Sequence, residues 1–559
     1  MLLNLKLRGN FILRRDTSPC QASEKYRRPD GRCNNLRNPE WGSTNIPLTR
    51  VLPNAYKDDK SIPRITGVGG GILPGPRTVS VNCHGPSEKR ADVTLMVMQW
   101  GQFLDHDVDL TPHASLECCE EPDINRPECF NINIPPDDEF FRGRRCMPFI
   151  RSDREPIKGV EQQINTITAF VDGSNVYGSS AEEITNLRGR GGRLRRTDVG
   201  EKFHFLPVGK DDDCRNETGE FCFLAGDERV NEQPGLAAMH TLFMREHNRV
   251  ADELRRRFGW SSDTVFEEAR KIVGAEIQHI TYSEFLPIVL GSDFMRTNGL
   301  EVSQPFKYDE HLDPSISNEF ATAAYRFGHS LIPEEILVNN EVLQFKKLFF
   351  KPAPVLKTMS ELSDSLGKTR AMAMDRQFSE SVTQHLFEEE DRTGEDLVAR
   401  NIQRGRDHGL RPYKDYRDKC SNSRSTSLDL HDLFGDDRLA LSTYAYAEDV
   451  DLFTGGVSED PIEGGLVGPT FACLIANQFK SLRDGDRFFY LNDDGPQKLT
   501  NAQRKEIKKV RLSNIVCDNS ENEKIQKNVF MPEGRGNSEM PCTDLPRMDL
   551  SKWSDSGDD

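Results

Sequence analysis

The sequence predicts a mainly α fold, a single large helix-rich domain with long loops, few and short strands, and disulfide staples. Five segments repeat apolar residues at three-to-four spacing, the mark of a helix with one buried face. They are Thr94 to Asp105, Ala237 to Phe258, Thr264 to Phe285, Asn318 to Leu331 and Pro469 to Leu482. Alternating, strand-like runs are scarce and short. No internal repeat or Gly/Ser linker divides the 559 residues, and 36% hydrophobic content is enough for a large core.

The first ninety residues, rich in Pro, Gly and Arg, read mostly as irregular wrapping. The expected organisation is an N-terminal extension over 1–19, a catalytic domain over 20–553 and a polar tail over 554–559. Asp263 and Ser317 are the expected N-caps of the third and fourth helices, and Pro469 suits a first helical position, where its missing N–H costs nothing.

The 73 basic and 90 acidic residues leave a net charge of −17, which excludes nucleic acid and anionic membrane as general partners. One local exception, the Gly-rich loop Arg188 to Arg196, is either an exposed flexible turn or a polyanion or protease site. No apolar run approaches the roughly 20 residues of a membrane span. Charges interrupt the apolar start from Met1 to Arg8, a poor signal peptide.

Thirteen cysteines nevertheless point to an oxidising, secretory compartment. Most fall close together: Cys20 with Cys33, Cys118 and Cys119 with Cys129 and Cys146, Cys214 with Cys222, and Cys517 with Cys542. No zinc spacing and no CxxC motif occurs. Asn216-Glu217-Thr218 is a glycosylation sequon. The chain therefore reads as a secreted glycoprotein whose odd cysteine is Cys83.

Five constellations carry chemistry. In Gly101-Gln102-Phe103-Leu104-Asp105-His106-Asp107-Val108-Asp109, Gln102 and His106 share a helix face, while Asp107 points roughly 100° away toward a different site. Thr168-Ala169-Phe170-Val171-Asp172-Gly173-Ser174 offers oxygens at alternate residues, as calcium's six to eight ligands require, although a short polar strand gives the same pattern. Arg229 and Glu232 lie three apart and can face one cavity if that turn is helical, or form a surface ion pair. His329 follows small residues and Gly328, which would let a flat macrocycle approach, although a histidine in an apolar helix is commonly a core residue. Asn401 to Leu410 is dense in amides and guanidiniums, suited to carboxylate recognition and to orienting a ligand histidine.

Taken in order, these segments resemble the animal haem peroxidase family, the group containing myeloperoxidase and peroxidasin. The resemblance runs from about Cys20 to Trp553. It includes Tyr26-Arg27-Arg28-Pro29-Asp30-Gly31-Arg32-Cys33-Asn34-Asn35, Arg245-Glu246-His247-Asn248-Arg249 and Leu482-Arg483-Asp484-Gly485-Asp486-Arg487-Phe488. The peroxidasin-like branch is the nearest, through Met98 to Asp107 and Val273 to Tyr282. Leucine-rich and immunoglobulin modules are missing, as in short secreted invertebrate peroxidases.

The resemblance implies an enzyme that reduces hydrogen peroxide to water through an oxoferryl haem, oxidising halide, thiocyanate or tyrosine-like phenols. His329 would be the proximal iron ligand, supported by Asn401. His106 would be the general base and then acid, with Arg229 stabilising charge and Gln102 orienting water or halide. Asp105 and Glu232 match carboxylates that this family esterifies to haem b. Gln233 stands where the myeloperoxidase branch has methionine, so a sulfonium link is not expected. Arg326 and Arg404 would meet the haem propionates. Asp107, Thr168, Phe170, Asp172 and Ser174 match the family's set for one calcium ion. The implied disulfides are Cys20–Cys33, Cys214–Cys222, Cys420–Cys473 and Cys517–Cys542, with Cys118 and Cys119 dividing between Cys129 and Cys146. Cys83 stays unpaired, leaving a monomer or a dimer linked through it.

Two competing readings make distinct demands. A matrix or adhesion protein on a peroxidase-like fold, with little activity, would dispense with His106, Arg229 or His329, and all three are present. A metal hydrolase built around His106 and Asp107 would leave His329 and Asn401 without a role.

Overall fold

The computed structural model describes residues 18–200, 203–215, 220–421 and 428–554. The sequon at Asn216 and the chain start lie outside these residues. Six described helices exceed ten residues: α1 (Met96–Val108), α2 (Pro234–Phe258), α3 (Ser262–Ile280), α4 (Val355–Lys368), α5 (Leu397–Asp407) and α6 (Pro469–Asp484). Among the described residues strands are short. One antiparallel sheet has three strands in the order Ile46–Pro47, Val160–Asn165, Arg154–Ile157, and the other sheets are two-stranded pairs.

The expected helices form, with instructive differences at their ends. α1 starts two residues late because Arg90–Thr94 pairs as a strand with Arg370–Met372. α3 is capped by Ser261, whose Oγ accepts the Thr264 N–H at 3.2 Å. The expected cap, Asp263, lies instead in the first turn, where its negative charge complements the positive end of the helix dipole. Beyond Ile280 the chain continues through a wider π-turn, Thr281–Phe285, which extends the apolar period as far as expected.

The fourth expected helix does not run through. Asn318–Thr322 is α-helical, Ala323 leaves helical geometry (φ −139°, ψ −67°), and Ala324–Leu331 is a tighter 3₁₀ segment. The Arg326 side chain supplies part of the reason, because its Nε donates to the Ala321 carbonyl at 2.9 Å. Pro469 opens α6 as expected. α5 escaped the apolar-period reading because its buried face is largely polar: Asn401, Gln403, Arg404, Arg406 and Asp407 are all buried. Asp396 caps it, accepting the Ala399 N–H at 3.0 Å.

The distinctive motifs prove to be mutual anchors. In the N-terminal strap, Arg27 and Asn34 donate to the fully buried Asp486 (2.8 and 2.7 Å), while Arg487 returns bonds to the Asn34 and Cys33 carbonyls at 2.9 and 3.0 Å. On α2, His247 lies between Tyr177 Oη (3.0 Å) and the Gly192 carbonyl (2.9 Å), and Asn248 accepts the Leu194 N–H at 2.7 Å. The basic loop is therefore docked on α2. Arg188, Arg193 and Arg196 pair with Asp263, Asp252 and Asp198, which favours the turn reading over a polyanion site.

Six disulfides form, including Cys420–Cys473, and the open division resolves as Cys118–Cys129 and Cys119–Cys146. The last two staple a satellite core of Ile132, Ile134, Phe141, Met147 and Phe149 that packs against Ala399 of α5. Cys83 is free, but it is fully buried and burial raises its thiol to about 12. A disulfide-linked dimer through Cys83 is thereby corrected: the sulfur cannot reach a second chain while the fold is intact.

His84, beside it, is buried between the Arg376 carbonyl and Thr454 Oγ1, both at 3.0 Å, and burial lowers its pKa to about 3. The unfolded chain therefore binds a proton that the native state refuses. This contribution to stability is complete above the ordinary imidazole value and is lost as pH falls from about 6.5 toward 3. In His84→Gln, the fall in urea-unfolding free energy between pH 6 and pH 4 should be shallower by up to about 1.4 kcal/mol per pH unit. An unchanged slope would mean that native His84 already carries the proton.

Candidate functional site

α1 packs against the 3₁₀ segment Ala324–Leu331, and the short turn Glu228–Asn231 packs against the start of α2. Deep in the molecule, most residues of these elements are fully buried. Gln102, Asp105, Arg229, Glu232, Arg326, Gly328 and His329 are only partly so. Intermittent exposure on facing, otherwise buried elements marks a cleft. Gly328 borders open space: a Cβ built there meets nothing within 4 Å.

On the α1 wall, His106 is 4% exposed. Its Nδ1 is 3.7 Å from Asp227 Oδ1 and its Nε2 is 4.0 Å from Glu232 Oε2. Burial and the neighbouring Arg229 charge hold its pKa well below 6.5, so the ring is neutral at pH 7 with a nitrogen free to accept. Asp227 is the hub, capping the Glu228–Asn231 turn through the Arg229 N–H. It also accepts Arg229 Nε and Nη2, both at 2.8 Å. Arg229 Nη2 reaches the Asp109 carbonyl at 3.0 Å, which ties the turn to the end of α1. Sequence reasoning passed over Asp227, although an aspartate two residues before Arg229 in a Gly-Asp-Glu turn was a usable capping signal.

Asp105 and Glu232 border the same cleft, 29% and 26% exposed. Burial raises both carboxyls to about 7, despite the Arg229 charge nearby. Two protonatable acids beside a permanent cation are available for acyl chemistry and are not simple surface ion pairs.

On the other wall, Asn401 of α5 is fully buried, with Nδ2 at 2.8 Å from His329 Nδ1 and Oδ1 accepting Arg326 Nη1 at 3.0 Å. Arg326 lies within electrostatic reach of Asp105, Asp109 and Arg229, so the two walls meet at one place. Burial lowers the pKa of His329 to about 3. It is a neutral imidazole with an accessible edge. Arg404, one turn beyond Asn401, is differently engaged: Nη1 donates to Asp407 and Ser152 (2.9 Å each) and to the Ile150 carbonyl (3.0 Å), with its guanidinium over Phe149.

Behind α1, Asp107 turns away from His106 as expected and meets the Thr168–Ser174 segment, which is a loop rather than a strand. Asp107 Oδ2 accepts the Asp172 and Gly173 N–H groups at 3.1 Å, and Ser174 Oγ donates to the Asp107 carbonyl at 2.8 Å. Thr168 Oγ1 donates to Asp172 Oδ1 at 3.1 Å. Asp107 Oδ1 and Asp172 Oδ2 are buried with no partner. Burial, with the Asp172 charge second, raises Asp107 to about 8, and burial raises Asp172 as well. Two buried carboxylate oxygens without hydrogen-bond partners, beside the Thr168 and Ser174 hydroxyls, fit a hard cation. Among the described residues no three His, Cys, Asp or Glu side chains converge as a transition-metal centre would need.

The loop also reaches the cleft. Asn175 donates to the Phe103 carbonyl at 2.6 Å and its own carbonyl accepts the Asp227 N–H at 3.0 Å. His240 of α2 is a second residue that sequence reasoning missed. It is buried edge-on to Phe103 near His106 and Asp227.

The model of the animal haem peroxidase family matches residues 26–530. The chain belongs to this family. It is 38% identical to human peroxidasin homolog over 96% of this chain, but spans only 39% of that longer protein. Human eosinophil peroxidase is 36% identical, with 95% of this chain and 80% of that protein covered. Among solved structures, peroxidase A of Dictyostelium discoideum matches with a TM-score of 0.76 at 27% identity, covering 91% of this chain and all of its own. A rice fatty acid alpha-dioxygenase shares the fold at TM-score 0.73 and 20% identity.

Proposed function

We propose that this chain is a haem b peroxidase, secreted and calcium-bound, with its catalytic domain over residues 20–553. The observation that carries the reading is the juxtaposition across one cleft of a neutral, acceptor-ready His106 beside Arg229 and an Asn401-held His329. His329 and Asn401 would hold haem iron, Arg326 and Arg404 its propionates, and Asp105 and Glu232 its ring methyls. Haem, when bound, supplies the two electrons that peroxide reduction consumes, later recovered from a donor.

The chain's own groups manage protons and charge. His106 removes a proton from one peroxide oxygen and delivers it to the other, which leaves as water. The Arg229 guanidinium, fixed by Asp227, offsets negative charge on the departing oxygen without exchanging a proton. His329 can ligate through Nε2 only if Nδ1 carries its proton and faces an oxygen. Asn401 would meet that proton with its amide oxygen if the amide were turned over from the orientation it holds against Arg326. The donors that fit are halide, thiocyanate or phenolic side chains.

The deciding experiment is the visible spectrum of haem-loaded protein before and after one equivalent of hydrogen peroxide. A rapid shift of the Soret band supports the reading, whereas a haem spectrum indifferent to peroxide would favour a binding-only matrix protein. A further expectation concerns the acids. After exposure to peroxide, wild type should retain haem through acidic organic extraction, and Asp105→Asn/Glu232→Gln should release it. Mass spectrometry of the haem peptides checks this, and complete release from wild type would refute ester formation.

A further inference from the structure

Gln233 takes no part in the proton and charge steps above, yet it is buried and its side chain makes three hydrogen bonds. Its orientation can be read without ambiguity. The Gly235 backbone N–H can only donate, and it donates to Gln233 Oε1 at 2.6 Å. The other end of that amide is therefore NH₂. This group lies 2.6 Å from Gln99 Oε1 and 2.9 Å from Gln102 Oε1, and because it can only donate, both facing atoms must be oxygens. Gln99, itself fully buried, adds a weaker bond from Nε2 to the same Gln102 oxygen at 3.4 Å.

Gly235 is part of the device, since a Cβ there would stand 2.5 Å from Gln99 Oε1 and 2.9 Å from Gln233 Oε1. Only a glycine lets the two amides lie against the opening turn of α2. The consequence falls on Gln102, which shares a helix face with His106. Its oxygen is held toward α2, so its NH₂ is the end left for the cleft.

We propose that Gln233 is a positioning residue that fixes the Gln102 amide with its donor side toward the cleft, making the space beside His106 receptive to a small anion. This rests on the peroxidase reading and deepens it, because an amide turned the other way would present a carbonyl oxygen and repel halide or thiocyanate. The lock is a property of this chain's glutamine, since the methionine of the myeloperoxidase branch has no N–H to donate.

The test is a Soret-band titration of the haem-loaded protein with bromide and with thiocyanate. It compares wild type, Gln233→Ser, Gln233→Leu, Gln102→Leu and the Gln233→Leu/Gln102→Leu double variant. Serine keeps a helix-capping oxygen and removes the NH₂, so an effect shared by both Gln233 variants is not a loss of folding. Both should weaken anion binding roughly tenfold or more, the scale of one hydrogen bond to a charged group. The double variant should bind no more weakly than Gln102→Leu alone, because Gln233 acts only through Gln102. Unchanged anion affinity in Gln233→Ser, or losses that simply add in the double variant, would overturn the proposal. Cyanide binding, which needs a proton removed by His106, should persist in Gln233→Ser and Gln233→Leu. Its absence from wild type would instead overturn the peroxidase reading beneath the proposal.

Discussion

His106→Ala should slow the reaction with hydrogen peroxide by roughly 10³- to 10⁴-fold, the upper range for removal of a general acid–base group, while haem content stays at the wild-type level. The separation of effects follows from the architecture. His106 stands on α1, and the residues that would hold iron stand on the Ala324–Leu331 segment and on α5. Burial and Arg229 keep the imidazole neutral, so its accepting nitrogen is available across the physiological range. Arg229 cannot replace it, because a guanidinium stabilises charge but does not give up a proton at any working pH. Stopped-flow measurement of the Soret change against peroxide concentration gives the rate constant directly. A variant that reacts at the wild-type rate would remove His106 from the mechanism and return the cleft to the binding-only reading.

Arg229→Leu offers a contrast in the same assay, since it also strips Asp227 of two side-chain hydrogen bonds and the Asp109 carbonyl of a third. Its failure would therefore mix lost charge stabilisation with a collapsed turn, which makes His106 the cleaner probe.

Much of the site was legible in the chain because its residues act from short, contiguous runs. Gln102 and His106 at four-residue spacing could only share a helix face, and Asp107 next to them could only point elsewhere; both relations hold in α1. The Arg229–Glu232 turn was likewise readable from spacing. What escaped was whatever depends on partners distant in sequence. Asp227 and His240 approach His106 from separate segments, and Asn175 braces Phe103 and Asp227 from a third; no local pattern announces that meeting. α5 was invisible for a related reason. Its polar residues are buried by specific partners, Asp407 by Arg151 and Arg404, Arg406 by Asp451, so an apolar period never develops. The break at Ala323 is by contrast local: the Arg326 side chain, only five residues on, takes the Ala321 carbonyl that a continuous helix would have used.

Removal of calcium should cost stability and activity together, and Asp107→Asn should abolish the response to the ion. In cation-free protein, Asp107 and Asp172 confront each other in a buried loop, and burial lifts Asp107 to about 8, where it is largely protonated at neutral pH. Asparagine preserves an oxygen for the Asp172 and Gly173 N–H groups, so in chelator the variant should be about as stable as wild type. The difference appears when calcium is added. Wild type should gain RT ln(1 + [Ca²⁺]/Kd), about 2.7 kcal/mol at a hundredfold excess over Kd, whereas Asp107→Asn should gain little. Thermal unfolding across a calcium series reads this directly, and a wild-type transition indifferent to both calcium and chelator would exclude the site. Activity follows because Asp107 adjoins His106 in α1, and because Asn175, one residue past Ser174, holds both the Phe103 carbonyl and the Asp227 N–H. A loop that loosens without its ion releases the distal helix and the Asp227 hub at once. The peroxide rate should therefore fall in chelator and recover on calcium addition, in wild type but not in Asp107→Asn.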